Sequence, residues 1–249
     1  MAVSKKTYID FRAHQPCVSI AQRAGALGTT TQVETMTFGP HALELYLEET
    51  NTDQTGSREI NGWSPPLDAD DGDGLEITQG ILLDASAPYA YTIGTDPAFE
   101  FSLKCTIATV ADVSLAVGFR TAVAYVADVA NATAATALTN VLTAYADKAA
   151  FIVHGGDMQI VVSNDNTDVT TDIASAWTDT QSKTLTVKVS AAGAMTFFID
   201  GTAVADAPAS PTAFDSTDVV IPYVRVSRVA TGTDNGCVQL NTWYCGPQR

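Results

Sequence analysis

Two carboxylates held about 5–10 Å apart across a cleft are enough to cleave a glycosidic bond, and this chain carries 28 acidic residues from which to draw such a pair. The nearest spacing is Glu44-Leu-Tyr-Leu-Glu48, with no acid between, and carboxylates exposed on a polar strand face account for it without catalysis. Asp68-Ala-Asp-Asp-Gly-Asp-Gly74 gathers oxygen ligands of the kind a hard cation takes. A helical calcium loop needs acids at its first, third and fifth positions and glycine at its sixth. Here glycine falls at the fifth, so the run reads as a solvated loop and no metal site is expected. His14, His41 and His154 are dispersed, and there is no Gly-x-Ser-x-Gly sequence for a nucleophile. Gly155-Gly156 is not followed by the Lys-Ser or the helix of a phosphate loop. Cys17, Cys105, Cys237 and Cys245 show no Cys-x-x-Cys spacing, which disfavours zinc or redox chemistry. They read as isolated thiols, with Cys105 in a core strand; Cys237 and Cys245 lie too far apart along one strand-like run to bridge. No catalytic residue, metal or cofactor is expected, and the chain reads as a non-enzyme.

Aromatic side chains are the remaining candidates. Trp63, Trp177, Trp243, Tyr244, Tyr89 and Tyr91 could stack on sugar rings where exposed, although aromatics in a β-sandwich are more often core. Trp63 is the best single candidate for glycan binding, because Ser64-Pro65-Pro66 sets it outside a regular strand.

The net charge of -15 argues against nucleic acid, whose phosphates must be neutralised by Lys and Arg. Charge is also uneven. Residues 1–28 hold Lys5, Lys6, Arg12 and Arg23 against Asp10, a sum of +3, which leaves -18 for the rest. A basic arm on an acidic body suits docking onto another protein, so these four cations are the candidate assembly contacts; a solvated tail is the alternative. No apolar run reaches the roughly 18–20 residues of a membrane span, and Met-Ala-Val-Ser-Lys-Lys6 lacks the apolar stretch of a signal peptide. The expectation is a protein made in a cytoplasm, with no membrane partner.

These residues must be positioned by strands. Phe99, Phe101, Leu103, Cys105 and Ile107 alternate with Glu100, Ser102, Lys104 and Thr106, the period of a strand with one buried face. Leu185–Val189 repeats the pattern, and Asp200-Gly201 supplies the positive-φ pair of a tight hairpin. Strands are also expected at 33–48, 75–83, 113–119, 151–154, 158–162, 195–199, 219–227 and 238–244. Strand 113–119 is expected to pair with 99–107 as a hairpin, and Pro222 to mark a sheet edge or a bulge. Residues 1–32 show no sustained period and read as an extended arm. The Ala-rich stretch 122–150, with Leu138, Val141, Leu142 and Tyr145 at helical spacing, reads as a short helix or an ordered surface insertion. The fold class is therefore all-β, a two-sheet antiparallel sandwich. Residues 1–60 are expected to form the arm and a strand extension, and 61–249 the sandwich.

The order Trp177, strand, small turn, aromatic strand, Asp200-Gly201 and a short Thr-Ala-Val strand resembles the back half of concanavalin A-like jelly rolls. Over residues 75–245 a longer set recurs: Leu75-Glu-Ile-Thr78, Thr92-Ile-Gly-Thr-Asp-Pro-Ala-Phe-Glu-Phe101, Val117-Gly-Phe-Arg120, Tyr145-Ala-Asp-Lys-Ala-Ala150 and the Trp177–Gly201 block. In this order it resembles virion proteins of tailed bacteriophages that carry such a jelly roll. The resemblance implies a structural role, foremost a head decoration or cement protein on the capsid exterior, made in the host cytoplasm. Its partners would be the major capsid protein and copies of itself. The alternative is a carbohydrate-binding adhesion module on the head or tail that takes a cell-surface glycan. The resemblance transfers no catalytic residues.

Overall fold

In a computed structural model of the chain the described residues are 5–13, 16–19, 31–39, 41–48, 57–59, 62–65, 74–79, 90–123, 145–174, 176–205, 212–228 and 238–249. They build two antiparallel sheets packed face to face. The smaller contains β1 (Thr7–Asp10), β5 (Ser57–Glu59), β6 (Gly62–Ser64), β9 (Phe99–Ile107), β14 (Ser182–Val189), β15 (Met195–Ile199), β16 (Thr202–Ala203) and β18 (Val238–Pro247). Its order is β16-β15-β14-β9-β18-β6-β5, with β1 also on β18. The larger contains β2 (Pro16–Ser19), β3 (Thr31–Phe38), β4 (His41–Glu48), β7 (Gly74–Thr78), β8 (Tyr91–Thr92) and β10 (Val113–Thr121). It is completed by β11 (Lys148–His154), β12 (Asp157–Asn164), β13 (Thr167–Ile173) and β17 (Val219–Arg228). Its order is β13-β12-β11-β10-β17-β7-β4-β3-β2, with β8 on β17.

The alternating residues do what their period dictates. Leu185, Val187 and Val189 of β14 stand opposite Leu103, Phe101 and Phe99 of β9, so both strands turn one apolar face inward. The larger sheet answers with Leu115, Val117, Phe119, Phe151 and Val153, all buried. Edge-to-face rings bind the layers, Phe99 on Phe119 at 5.1 Å and Phe151 on Phe197 at 5.4 Å. Hairpins close where two adjacent residues accept positive φ, as at Asp200 (50°) and Gly201 (81°).

Four expectations need correction. Strands β9 and β10 lie in different sheets: a 3-10 turn over Val110–Asp112, pinned by Val110 N–H donating to Asp179 Oδ1 at 2.8 Å, carries the chain across the sandwich. Pro222 sits in the interior strand β17, opposite Phe119; on the other flank Val220 pairs with β8 and Tyr223 with β7, while Ile221 and Pro222 have no ladder partner. The missing N–H thus falls at a break in the ladder, a local edge inside the sheet.

The arm is the third. Residues 7–10 are a strand of the smaller sheet, in register with Thr242–Cys245, and Ile9 and Phe11 are wholly buried. Packing does hold this segment. The fourth is the boundary at residue 60: β4 pairs with β7, so residues on both sides of it share one ladder and one core. Of the Ala-rich stretch, 148–150 belong to β11, and 124–144 lie outside the described residues, as does the acidic run up to Asp73. Cys105 and Cys245 are buried free thiols, and burial pushes Cys245 up to about 12. The side chains of Cys17 and Cys237 lie outside the described residues.

Candidate functional site

The second face of the larger sheet, turned away from the core between the layers, carries the polar residues of β4, β7, β10, β11 and β17. Alternation alone marks them as solvent-facing, yet Glu76, Arg120 and Arg225 are wholly buried. Register brings them together: Arg225 stands opposite Glu76, and Glu76 opposite Tyr46. Glu76 Oε1 accepts from Arg120 Nε at 2.9 Å and from Nη2 at 2.6 Å, while Oε2 accepts from the Tyr145 hydroxyl at 2.8 Å. Arg225 Nη1 lies 3.8 Å from Oε2. The third arginine nitrogen, Arg120 Nη1, donates to the carbonyls of Thr121 and Val123 at 2.9 and 3.0 Å, and the guanidinium lies 4.0 Å from the Tyr145 ring centre. Beside this group, Tyr46 donates to Glu44 at 2.9 Å.

Burial alone would depress the Arg120 guanidinium, but the Glu76 charge and hydrogen bonds more than offset it and hold it above its ordinary value. Burial, with Glu76 close by, raises the Tyr145 and Tyr223 hydroxyls well above theirs, so both stay protonated. The two tyrosines differ in one respect. Tyr145 donates to a carboxylate, whereas the Tyr223 hydroxyl has no hydrogen-bond partner among the described residues. Tyr145→Phe is therefore expected to cost about 2 kcal/mol and Tyr223→Phe close to nothing in urea unfolding, since a hydrogen bond to a charge is worth more than an unpaired hydroxyl. Equal losses would contradict this assignment.

Further along the same face the polar residues reach solvent. His154, Asp157, Gln159, Thr170 and Asp172 share this face with the buried Ala150, Ile152 and Val161; Asp157, Thr170 and Asp172 are exposed and His154 and Gln159 half-buried. Gln159 Nε2 donates to Asp172 Oδ1 at 2.5 Å, and Gln159 Oε1 has no partner among the described residues. Ser114 Oγ and His154 Nδ1 share a hydrogen bond at 2.6 Å. Such a pair could serve as nucleophile and base, but the Ser114 side chain is sealed beneath the sheet face, out of a substrate's reach.

Burial lowers the His154 pKa below 6.5, and Asp157 counters this only in part. The unfolded chain then binds the proton more readily than the folded one. Stability from this group is complete above about pH 6.5 and falls as pH drops through the folded value. Thermal unfolding between pH 7.5 and 5.5 is expected to show a decline that His154→Gln makes shallower; identical slopes would rule the effect out.

Sequence-derived candidates are scattered by comparison. Trp63 is wholly buried, stacked on Phe11 at 5.9 Å and edge-on to Phe38 at 5.5 Å, so its indole offers no face to a sugar. The core takes it because β6 pairs with β18 and turns the ring inward. Trp177 and Trp243 are buried too, each with its indole N–H satisfied, by Gln181 O at 2.9 Å and Gln79 Oε1 at 3.2 Å. Lys5 is engaged within the chain, with Asp96 at 2.8 Å and Ala90 O at 2.7 Å. Its ammonium and the Thr92 N–H overcome burial to hold Asp96 below the usual carboxylate range. Arg12 grips Asp10 with two nitrogens at 2.9 Å. Lys6 is exposed; Arg23, His14, Tyr89 and the side chain of Glu48 lie outside the described residues. Among the described residues no three His, Cys, Asp or Glu side chains are grouped to hold a metal, and no helix is long and apolar enough to cross a membrane.

No protein-family model and no curated sequence matches the chain. Solved structures do. The carbohydrate recognition domain of Emp47p aligns at 9% identity with a TM-score of 0.51, over 79% of this chain and 87% of that one. The potassium-bound form of the Emp46p carbohydrate recognition domain aligns at 8% identity with a TM-score of 0.52, over 78% and 86%. At these identities the likeness establishes fold: an all-β, two-sheet antiparallel jelly roll of the kind found in lectin domains. A native glycosidic hydrolase aligns at 9% identity with a TM-score of 0.46, a level that says nothing about this chain's chemistry.

Proposed function

We propose that this protein is a non-catalytic recognition module that binds carbohydrate through the solvent-reaching part of the second face of its larger sheet. The state of Glu76 carries the choice of recognition over catalysis. A carboxylate wholly buried and gripped by Arg120 through two nitrogens is in no position to protonate a leaving group or attack an anomeric carbon. The structural neighbours named for carbohydrate recognition support sugar as the ligand class. The grouping of His154, Asp157, Gln159, Thr170 and Asp172 on one solvent-reaching face supports the location, since amides, carboxylates and hydroxyls are what sugar hydroxyls pair with. Full-length protein on a glycan array is expected to give a signal that Gln159→Ala and Asp172→Ala each abolish while circular dichroism stays unchanged. Binding that survives both substitutions, or release of reducing sugar from a polysaccharide, would overturn the reading.

A second reading places the module on the outside of a phage capsid, bound to the major capsid protein. The resemblance of residues 75–245 to virion proteins supports it, as does the -18 carried by residues 29–249, which packaged DNA would repel. With Lys5 and Arg12 engaged inside the chain, Lys6, which is exposed, and Arg23, which lies outside the described residues, are the candidates for such docking. Co-sedimentation with empty shells is expected to fall for the Lys6→Glu, Arg23→Glu double variant; undiminished sedimentation would exclude the contact.

A further inference from the structure

The larger sheet ends in β13, whose outer edge has no partner strand among the described residues. Its backbone polarity follows from the turn before it. Asp165 and Asn166, with φ of 50° and 62°, close a two-residue hairpin in which Asn164 pairs with Thr167. In such a hairpin the closing pair exchanges both hydrogen bonds, and bonded pairs recur at every second residue. Thr167, Val169 and Thr171 therefore direct their N–H and C=O toward β12, and Asp168, Thr170 and Asp172 direct theirs outward.

Natural proteins blunt such edges with charged side chains, above all lysine, or with proline, a bulge or a covering segment. β13 has no lysine, proline or bulge, and its charges are two carboxylates, Asp168, which is paired with Lys148, and Asp172. Its sequence is Thr-Asp-Val-Thr-Thr-Asp-Ile, its register with β12 runs unbroken from Thr167 to Ile173, and Val169 is 49% exposed. The other described strands at sheet ends are shorter: two residues in β16, three in β5 and four in β2.

We propose that β13 pairs antiparallel with β13 of a second copy of this chain, about a twofold axis at Val169, joining the two larger sheets into one. This register sets Val169 against Val169 as a non-hydrogen-bonded pair, the closer of the two pair types, and covers the exposed valines. It sets Asp168 against Thr170 on each side, so the outward N–H and C=O groups of both residues are satisfied. The two Asp168 carboxylates approach only diagonally, and each is already matched by Lys148 Nζ at 2.9 Å. An axis at Thr170 would instead oppose Asp168 to Asp172, like charge on like charge. An axis at Thr171 would call on Ile173, which packs on its own core.

A single strand pair is a small interface, of the size class of weak and transient complexes, so the dimer is expected to form only at high protein concentration. The net charge of -15 on each copy opposes it, and added salt strengthens it by screening. The test is sedimentation equilibrium of the full chain up to about 0.5 mM, a range that spans a weak interface, at low and high salt. Oxidative cross-linking accompanies it, in a Cys17→Ser, Cys237→Ser background. Mass is expected to rise with concentration and with salt, and Val169→Lys to hold the protein monomeric. Val169→Cys is expected to form a covalent dimer, because directly opposed Cα atoms about 4.5 Å apart fall within disulfide range, and Thr171→Cys is not. A monomer at every concentration would refute self-pairing and leave the edge to a strand of another protein. A dimer indifferent to Val169→Lys, or cross-linked through Thr171→Cys, would refute the interface or its register. Circular dichroism of each variant checks folding, which an exposed edge position leaves intact.

Discussion

Glu76→Gln is expected to lower the unfolding free energy by about 3–5 kcal/mol, the cost of leaving a buried charge without its partner. For a chain of this size that corresponds to a fall of roughly 6–20 °C in the unfolding midpoint. The cause is the position of the carboxylate. Glu76 meets the Arg120 guanidinium and the Tyr145 hydroxyl, with Arg225 alongside, and neither arginine touches solvent. Glutamine keeps the shape and removes the charge, so both guanidinium groups stay in a low-dielectric site where their attraction to Glu76 had offset desolvation. Arg120→Met should cost a similar amount. The double variant Glu76→Gln, Arg120→Met should cost clearly less than the sum, because the two groups then leave together. Additive losses would mean that the pair is not coupled, and a loss below 1 kcal/mol for Glu76→Gln would mean that water reaches the site. Thermal and urea unfolding of the three variants decide it.

Phe11→Ala is expected to cost about 3–5 kcal/mol, although the residue stands in a segment whose sequence carries no sustained pattern. Its ring sits 4.8 Å from Phe38 edge-on and 5.9 Å from Trp63, so removal opens a cavity beside the largest side chain of that corner. Tyr8→Ala, three residues earlier in β1 and 43% exposed, should change stability by less than about 0.5 kcal/mol. The contrast separates a docked strand from a loose arm: equal, small effects at both positions would show that residues 7–11 do not pack. Hydrogen bonds anchor this segment as well, one at a side-chain hydroxyl and one at a backbone carbonyl. Gln79 Nε2 donates to Thr7 Oγ1 at 2.5 Å, and the Tyr91 hydroxyl donates to the Lys5 carbonyl.

Strands and hairpins were legible because their causes are local. The period-two runs at Phe99–Ile107 and Leu185–Val189 and the positive-φ pair Asp200-Gly201 each act within a few residues. β1 is not legible in the sequence, for the opposite reason. Four residues are too few to display a period, and the strand they pair with, Thr242–Cys245, lies at the far end of the chain. For Trp63 the proline-rich turn suggests exposure, while a single distant pairing, to Leu240, turns the ring inward. The split of β9 and β10 between sheets depends on the 3-10 turn at Val110–Asp112 and on Asp179, neither of which carries a sequence signal of its own.

The candidate site shows the same division more sharply. Glu76, Arg120, Arg225, Gln159 and Asp172 occupy the polar positions of their strands, and alternation can say only that they face away from the residues between them. Whether such a face meets water depends on what lies over it, which one strand's sequence does not encode. Side-chain period and turn chemistry, both short-range, were enough to settle an all-β sandwich from the residues alone. Strand order, burial of the second face and docking of the N-terminal strand waited on the folded molecule, because each is a contact between segments far apart in the chain, where cross-strand pairing and desolvation set the energy.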